Sequence, residues 1–119
     1  MGMVKQFEVC WVSPDPTRGS EIKKTRPCVV VSPNEMNECL KTIIVAPLTT
    51  VNRDFPTRIN VMVKRKKSQI VLDQLRTIDK VRLGARIATL NERDSEKVKS
   101  VLSICFLEKA GNHEIAFFT

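Results

Sequence analysis

The apolar residues of this chain come in short, mostly β-branched runs. FEVCWV, PCVVV, TIIVAPL, RINVMV and QIVL are each closed within a few residues by proline, glycine or a cluster of charge. Runs of four to eight such residues bounded by turn formers read as strands, because branched side chains pack well on a pleated surface. A helix needs apolar residues at three- and four-residue spacing, and the clearest example comes late, at Val98, Val101, Leu102 and Cys105. Helices therefore do not separate most strand pairs, which disfavours a regular βαβ array. The pattern predicts a mainly β chain with short helices: a compact, barrel-like sheet closed by one C-terminal helix.

Val4 to Val12 alternates, with Phe7, Val9 and Trp11 expected on one face and Glu8 and Cys10 on the other. Pro14, Pro16 and Gly19 break the period and open a loop through about Lys24. Pro27 starts the next strand, where its missing N–H costs least, and Cys28 to Val31 continue it. A short helix is expected over SPNEMNECL, with Ser32 as cap, Pro33 in the first turn and Glu35 behind it. Further strands are predicted at Thr42 to Leu48, Arg58 to Val63, Gln69 to Leu75 and Ala85 to Leu90. KRKK at Lys64 to Lys67 reads as an exposed connection, and TIDKVRLG as a linker between strands. Asn91 caps the terminal helix with Asp94 three residues on, and His113 to Phe118 can add a last strand.

At 119 residues, with 42% hydrophobic residues, the whole of 1–119 is expected to form one domain with a modest core. No stretch approaches the roughly 18 apolar residues of a spanning helix, and the N-terminus lacks an apolar signal segment, so the reading is a cytoplasmic protein with no membrane role. Cys10, Cys28, Cys39 and Cys105 form no CxxC pair, and His113 is the sole histidine. That pattern predicts reduced, structural cysteines and calls for neither a metal nor a cofactor. The net charge of +7 selects acidic partners: nucleic acid, an anionic protein or an anionic surface.

Several polar residues stand where chemistry is done. Arg26 sits at the entrance of a core strand, where a guanidinium can neutralise a phosphate or a developing phosphoryl charge. Glu21 shares its loop and can orient it. Thr49 and Thr50 close the apolar run IIVAPL, where a sheet fixes the backbone and leaves hydroxyls at the rim. Asp73 stands in an otherwise apolar stretch and needs a polar partner, since an unpaired buried charge is costly. It can orient a hydroxyl, act as a base or anchor Arg76 or a loop amide. KRKK is either a solvated turn or a phosphate-steering cluster.

DPTRGSE at Asp15–Glu21, TRPCVVVSP at Thr25–Pro33, APLTT at Ala46–Thr50 and LDQLRTIDKVRLG at Leu72–Gly84 occur in the order seen in the MazF/PemK family of bacterial toxins. The chain resembles that family over about residues 5–107. The resemblance implies an SH3-like β-barrel, a homodimer, cleavage of single-stranded RNA at short sequence motifs, and an antitoxin whose acidic tail occupies the RNA-binding surface. It assigns the phosphate-facing arginine to Arg26 and the catalytic threonine to Thr49. Glu21 and Asp73 follow as active-site polar residues, Gln74 and Arg76 as members of the substrate-binding or structural network beside them, and Arg18, Ser20 and Thr50 as RNA-binding residues of the surrounding loops. The charge of the first loop adds Lys23 and Lys24 as RNA-binding. Two positions depart from some relatives: Ser20 stands where they have histidine, and Val71 where they have arginine. Their general acid and base therefore do not transfer wholesale.

The resulting expectation is a sequence-specific, metal-independent endoribonuclease that cleaves mRNA to 2′,3′-cyclic phosphate and 5′-hydroxyl ends. A non-catalytic nucleic-acid-binding barrel fits the charge almost equally well, and a toxin that poisons DNA gyrase is a third reading.

Overall fold

The structure, a computed structural model, describes residues 3–14 and 25–107. Its elements are β1 (Glu8–Val12), β2 (Arg26–Val30), α1 (Asn34–Cys39), β3 (Thr42–Thr49), β4 (Arg58–Val63), β5 (Lys66–Val71), β6 (Arg76–Asp79), β7 (Leu83–Thr89) and α2 (Glu92–Phe106). Short 3-10 turns at Leu72–Gln74 and Lys80–Arg82 flank β6. The strands run β4-β5-β3-β2-β1-β7, with β6 also paired to β3. Among the described residues no helix is long and apolar enough to cross a membrane.

β3 makes the curl. It pairs with β2 at Val45–Pro47, while β6 meets it over Thr42–Val45 and β5 over Leu48–Thr49. A strand that changes neighbours along its length must bend, and the sheet closes into a half-barrel. Both faces of the central strands are buried, so β2 reads as a continuous apolar run. Val29 and Val31 enter the larger core with Phe7, Leu48, Ile70 and Val98, and α2 lays Val101 and Leu102 against it. Cys28 and Val30 turn the other way and join Val12, Ile43, Val45 and Ile78 in a second cluster. Val29, Ile43 and Ile70 are completely buried, each worth about 1.5–3 kcal/mol of transfer free energy.

Several expectations hold. β4 covers Arg58–Val63 as expected, and the Asn91 side chain caps α2, its Oδ1 accepting from Asp94 N at 2.7 Å. The connection expected over Lys64 to Lys67 is shorter: Lys64 and Arg65 form the turn between paired Val63 and Lys66, with φ of 52° and 66°, while Lys66 and Lys67 already belong to β5. Two successive left-handed residues are the signature of a type I′ hairpin, whose twist matches the strands it joins.

Others are corrected. Trp11 does not share the face of Val9: it is 42% exposed, while Val12 is buried. The cause is the pairing with β7, which shifts register between Val9 and Cys10 and again before Val12, so simple alternation fails. Ser32 does not cap α1, which has no side-chain cap. Its buried hydroxyl instead donates to Asn37 Oδ1 at 2.6 Å and accepts from Ile44 N at 3.1 Å, tying helix to β3. The strand expected over Gln69–Leu75 breaks at Val71, where the chain turns to start β6 inside the expected linker. The last strand proposed at His113–Phe118 lies outside the described residues.

Candidate active site

The second apolar cluster forms the floor of a cleft of about 700 Å³. Val12, Cys28, Val45 and Ile78 lie beneath it, and Pro14, Pro47, Leu48, Val71 and Leu75 complete its apolar lining. Around this floor stand Arg26, Thr49, Gln74, Arg76 and Arg82. They come from four parts of the chain: the start of β2, the end of β3, the 72–76 corner and the turn before β7. The curl of β3 brings them together, because β2 and β6 pair with the same strand that ends in Thr49.

The electrostatics of the cleft are positive. Among the described residues the ion pairs are Arg58–Asp73, Arg86–Glu8 and Lys99–Glu96, so Arg26, Arg76 and Arg82 face the cleft without a carboxylate partner. Arg82 is fixed to the end of β1, its Nε donating to Ser13 O at 2.7 Å. Arg26 and Arg76 are exposed. Thr49 Oγ1 accepts from Val51 N at 3.1 Å, which sets its rotamer and leaves its hydroxyl hydrogen for a ligand. Cys28 lines the floor, but burial pushes its thiol up to about 11, and Cys10, its direct partner across β1 and β2, is pushed up by burial as well. Both are neutral, inert thiols at neutral pH.

Arg26, Thr49, Gln74 and Arg76, four of the residues singled out from the sequence, are therefore brought into one cleft. Asp73 sits beside it and is not part of its lining. It lies in the 3-10 turn, exposed, and its Oδ1 accepts from Thr57 Oγ1 at 2.9 Å and Arg58 Nε at 3.1 Å. The Arg58 bond, before the Thr57 one, holds its carboxyl below the usual carboxylate range. Asp73 thus anchors the corner that carries Gln74 and Arg76, with Arg58 rather than Arg76 as its partner. Thr50 lines a different, neighbouring cleft. Arg18, Ser20, Glu21, Lys23 and Lys24 lie outside the described residues.

Two residues escaped the sequence reading. Arg82 belongs to the same LDQLRTIDKVRLG block as Gln74 and Arg76, so its block was a usable signal. Gln69 is 95% buried and holds the β3–β4 loop. Its Nε2 donates to Asn52 Oδ1 at 2.8 Å and Arg53 O at 3.1 Å, and its Oε1 accepts from Arg53 N at 3.0 Å. Gln69 stood at the start of the expected strand, directly before the apolar Ile70–Leu72 run, and a polar residue against that run was the available sign of such a network.

The fold and the sequence both have relatives. The profile of the PemK-like, MazF-like toxin of type II toxin-antitoxin system matches residues 5–106. The endoribonuclease MazF of Staphylococcus epidermidis is 32% identical over 108 residues, covering 86% of this chain and 90% of that protein. A MazE–MazF structure from Deinococcus radiodurans superposes with a TM-score of 0.74 at 15% identity, over 92% of this chain and 100% of that one. A mycobacterial endoribonuclease in complex with its cognate antitoxin gives 0.71 at 20% identity, over 85% and 92%. At such identities the structural likeness speaks to fold, and the barrel expected from the sequence is the one observed. The family assignment rests on the profile and the staphylococcal relative: this chain belongs to the PemK-like, MazF-like toxins of type II toxin–antitoxin systems.

Proposed function

We propose that this MazF-type toxin is an endoribonuclease that cuts single-stranded mRNA at a short sequence motif in the cleft of Arg26 and Thr49. The observation that supports it most is the convergence over an apolar floor of a rim hydroxyl and arginines that have no carboxylate partner among the described residues. RNA brings its own nucleophile. The 2′-oxygen attacks the adjacent phosphorus, the bond to the 5′-oxygen breaks, and the products are a 2′,3′-cyclic phosphate and a 5′-hydroxyl. One proton leaves the 2′-hydroxyl and one reaches the departing 5′-oxygen, so the step balances without a metal or cofactor. Arg26 stabilises the charge that grows on the phosphoryl oxygens, and the low polarity of the floor strengthens that interaction. Thr49 donates its free hydroxyl hydrogen to the phosphate and holds it in line. Gln74 and Arg76 bind the adjoining nucleotide, and Asp73 positions them through its bond to Arg58.

Glu21, with Arg18, Ser20, Lys23 and Lys24, belongs to the loop proposed to guide the RNA and orient Arg26. The same basic surface suits the acidic tail of a cognate antitoxin, which would inhibit by occupying it, and a homodimer acting in the cytoplasm completes the reading. The test is folded, antitoxin-free protein incubated with a long unstructured RNA in EDTA, followed by mapping of the new ends. Internal cuts bearing 2′,3′-cyclic phosphates are expected. Binding without scission across diverse sequences would return the protein to the class of non-catalytic modules, and gyrase poisoning without RNA turnover to that of gyrase toxins.

A further inference from the structure

The rim that holds Thr49 has a second side. Thr50, the next residue, lines a separate cleft of about 710 Å³ between the β4–β5 hairpin and the first turns of α2. Lys67 stands on the hairpin, and Arg93 and Lys97 stand one turn apart on the helix, all three on this cleft. None of them is in an ion pair among the described residues. Asp94 also lines it, which leaves a net charge of two positive units.

The floor is rigid and rich in donors. Gln69 pairs directly with Thr49 on β3 and with Asn60 on β4, so these three side chains stand in one row across the sheet. The Gln69 amide donates to Asn60 Oδ1 at 2.8 Å as well as to Asn52 Oδ1. Both asparagine oxygens thereby face Gln69, and neither Nδ2 group donates to a partner among the described residues, which leaves two amide donors on the cleft for a ligand. A cleft whose available groups are two amide donors, a threonine hydroxyl and three unpaired cations suits phosphodiester oxygens and base carbonyls. A neutral or cationic ligand would leave the cations uncompensated.

We infer that this second cleft binds the sugar-phosphate chain of the RNA that flanks the scissile bond, which crosses the rim from Thr49 to Thr50. The inference rests on the endoribonuclease reading and extends it. Substrate contact does not end at the reacting phosphate, and Lys67, Arg93 and Lys97 set how much a longer RNA gains over a minimal one. Because the floor is tied in place by Gln69, little ordering is needed when the strand arrives.

The experiment uses Arg26→Ala protein, so that RNA stays intact, with and without K67A, R93A and K97A together. Binding is measured by fluorescence anisotropy for a minimal oligonucleotide spanning the cleavage motif and for the same motif extended by about eight nucleotides on each side. Circular dichroism checks the folding of each variant. The extended RNA should bind more tightly, and the three substitutions should remove at least about tenfold of that advantage. The salt slope of log K should fall by about 2, the expectation for three lost phosphate contacts on a single strand. An unchanged length advantage in the triple variant overturns the inference. So does a triple variant that keeps its RNA affinity but loses binding to a polyglutamate peptide, since the cleft would then be a protein-binding one. Failure of the wild-type protein to cut any RNA is a different result, which refutes the endoribonuclease reading and is read in a separate assay.

Discussion

Arg26 and Arg58 each open a strand, and they are held in opposite ways. Arg58, at the start of β4, has a side chain only 10% exposed, bonded to Asp73 and lying 5.0 Å from the centre of the Phe55 ring. Its charge is neutralised, and its hydrogen-bonding and ring contacts are made within the protein. Arg26, at the start of β2, is exposed at the mouth of an apolar-floored cleft and has no carboxylate partner among the described residues. The comparison separates an arginine that holds a corner from one whose charge no carboxylate answers among the described residues. Residue type and position relative to a strand are the same; what differs is whether the charge has already been answered.

The largest effect is expected at Arg26. Arg26→Ala should lower single-turnover RNA cleavage at saturating enzyme by at least about 100-fold, the scale of a lost transition-state donor. Its folding stability should move by less than about 0.5 kcal/mol, since Arg26 is exposed and no carboxylate among the described residues loses a partner. Denaturant melts and cleavage rates on the same preparation check both. Near-normal cleavage by the folded variant would end the distinction between the two arginines.

Arg58→Ala should do the reverse. Loss of a charge-assisted bond to a partly exposed carboxylate, together with the ring contact, should cost about 1–2 kcal/mol in urea. Cleavage per folded molecule should fall far less than for Arg26→Ala. The pH dependence sharpens this. Because Arg58 holds the Asp73 carboxyl below its usual range, its stabilising contribution is complete above the ordinary carboxylate pKa of about 3.9 and is lost as pH falls through the lower folded value. The stability gap between wild type and Arg58→Ala should therefore shrink below about pH 4. A gap that stays constant to pH 2 would mean that the ion pair is not what Arg58 supplies.

The same contrast explains what could be seen in the sequence. Local signals were faithful where a residue is satisfied by its near neighbours: the Asn91 cap, the period of Val98, Val101 and Leu102 in α2, and the run of β4. They failed where the partner is distant. Asp73 looked like an acid within a strand, but its partners Thr57 and Arg58 lie on the other side of a hairpin. Ser32 looked like a cap, but Ile44 on β3 claims its oxygen. Trp11 looked buried until a doubly shifted pairing with β7 turned it outward. Arg26 and Thr49 were singled out through the family blocks they sit in, while their meeting in one cleft needed the curl of β3. The cleft beyond Thr50 had no local signal, because Lys67, Arg93 and Lys97 converge only after α2 folds back across the hairpin.

The most direct test of the account is the position of the reacting phosphate. A crystal structure of the protein with an RNA carrying a 2′-deoxy sugar at the cleavage site would hold the substrate uncut. The scissile phosphate should lie within hydrogen-bond distance of both the Arg26 guanidinium and the Thr49 hydroxyl, with the apolar floor of Val12, Cys28, Val45 and Ile78 beneath it. A scissile phosphate seated away from both residues would contradict the assignment of this cleft as the active site.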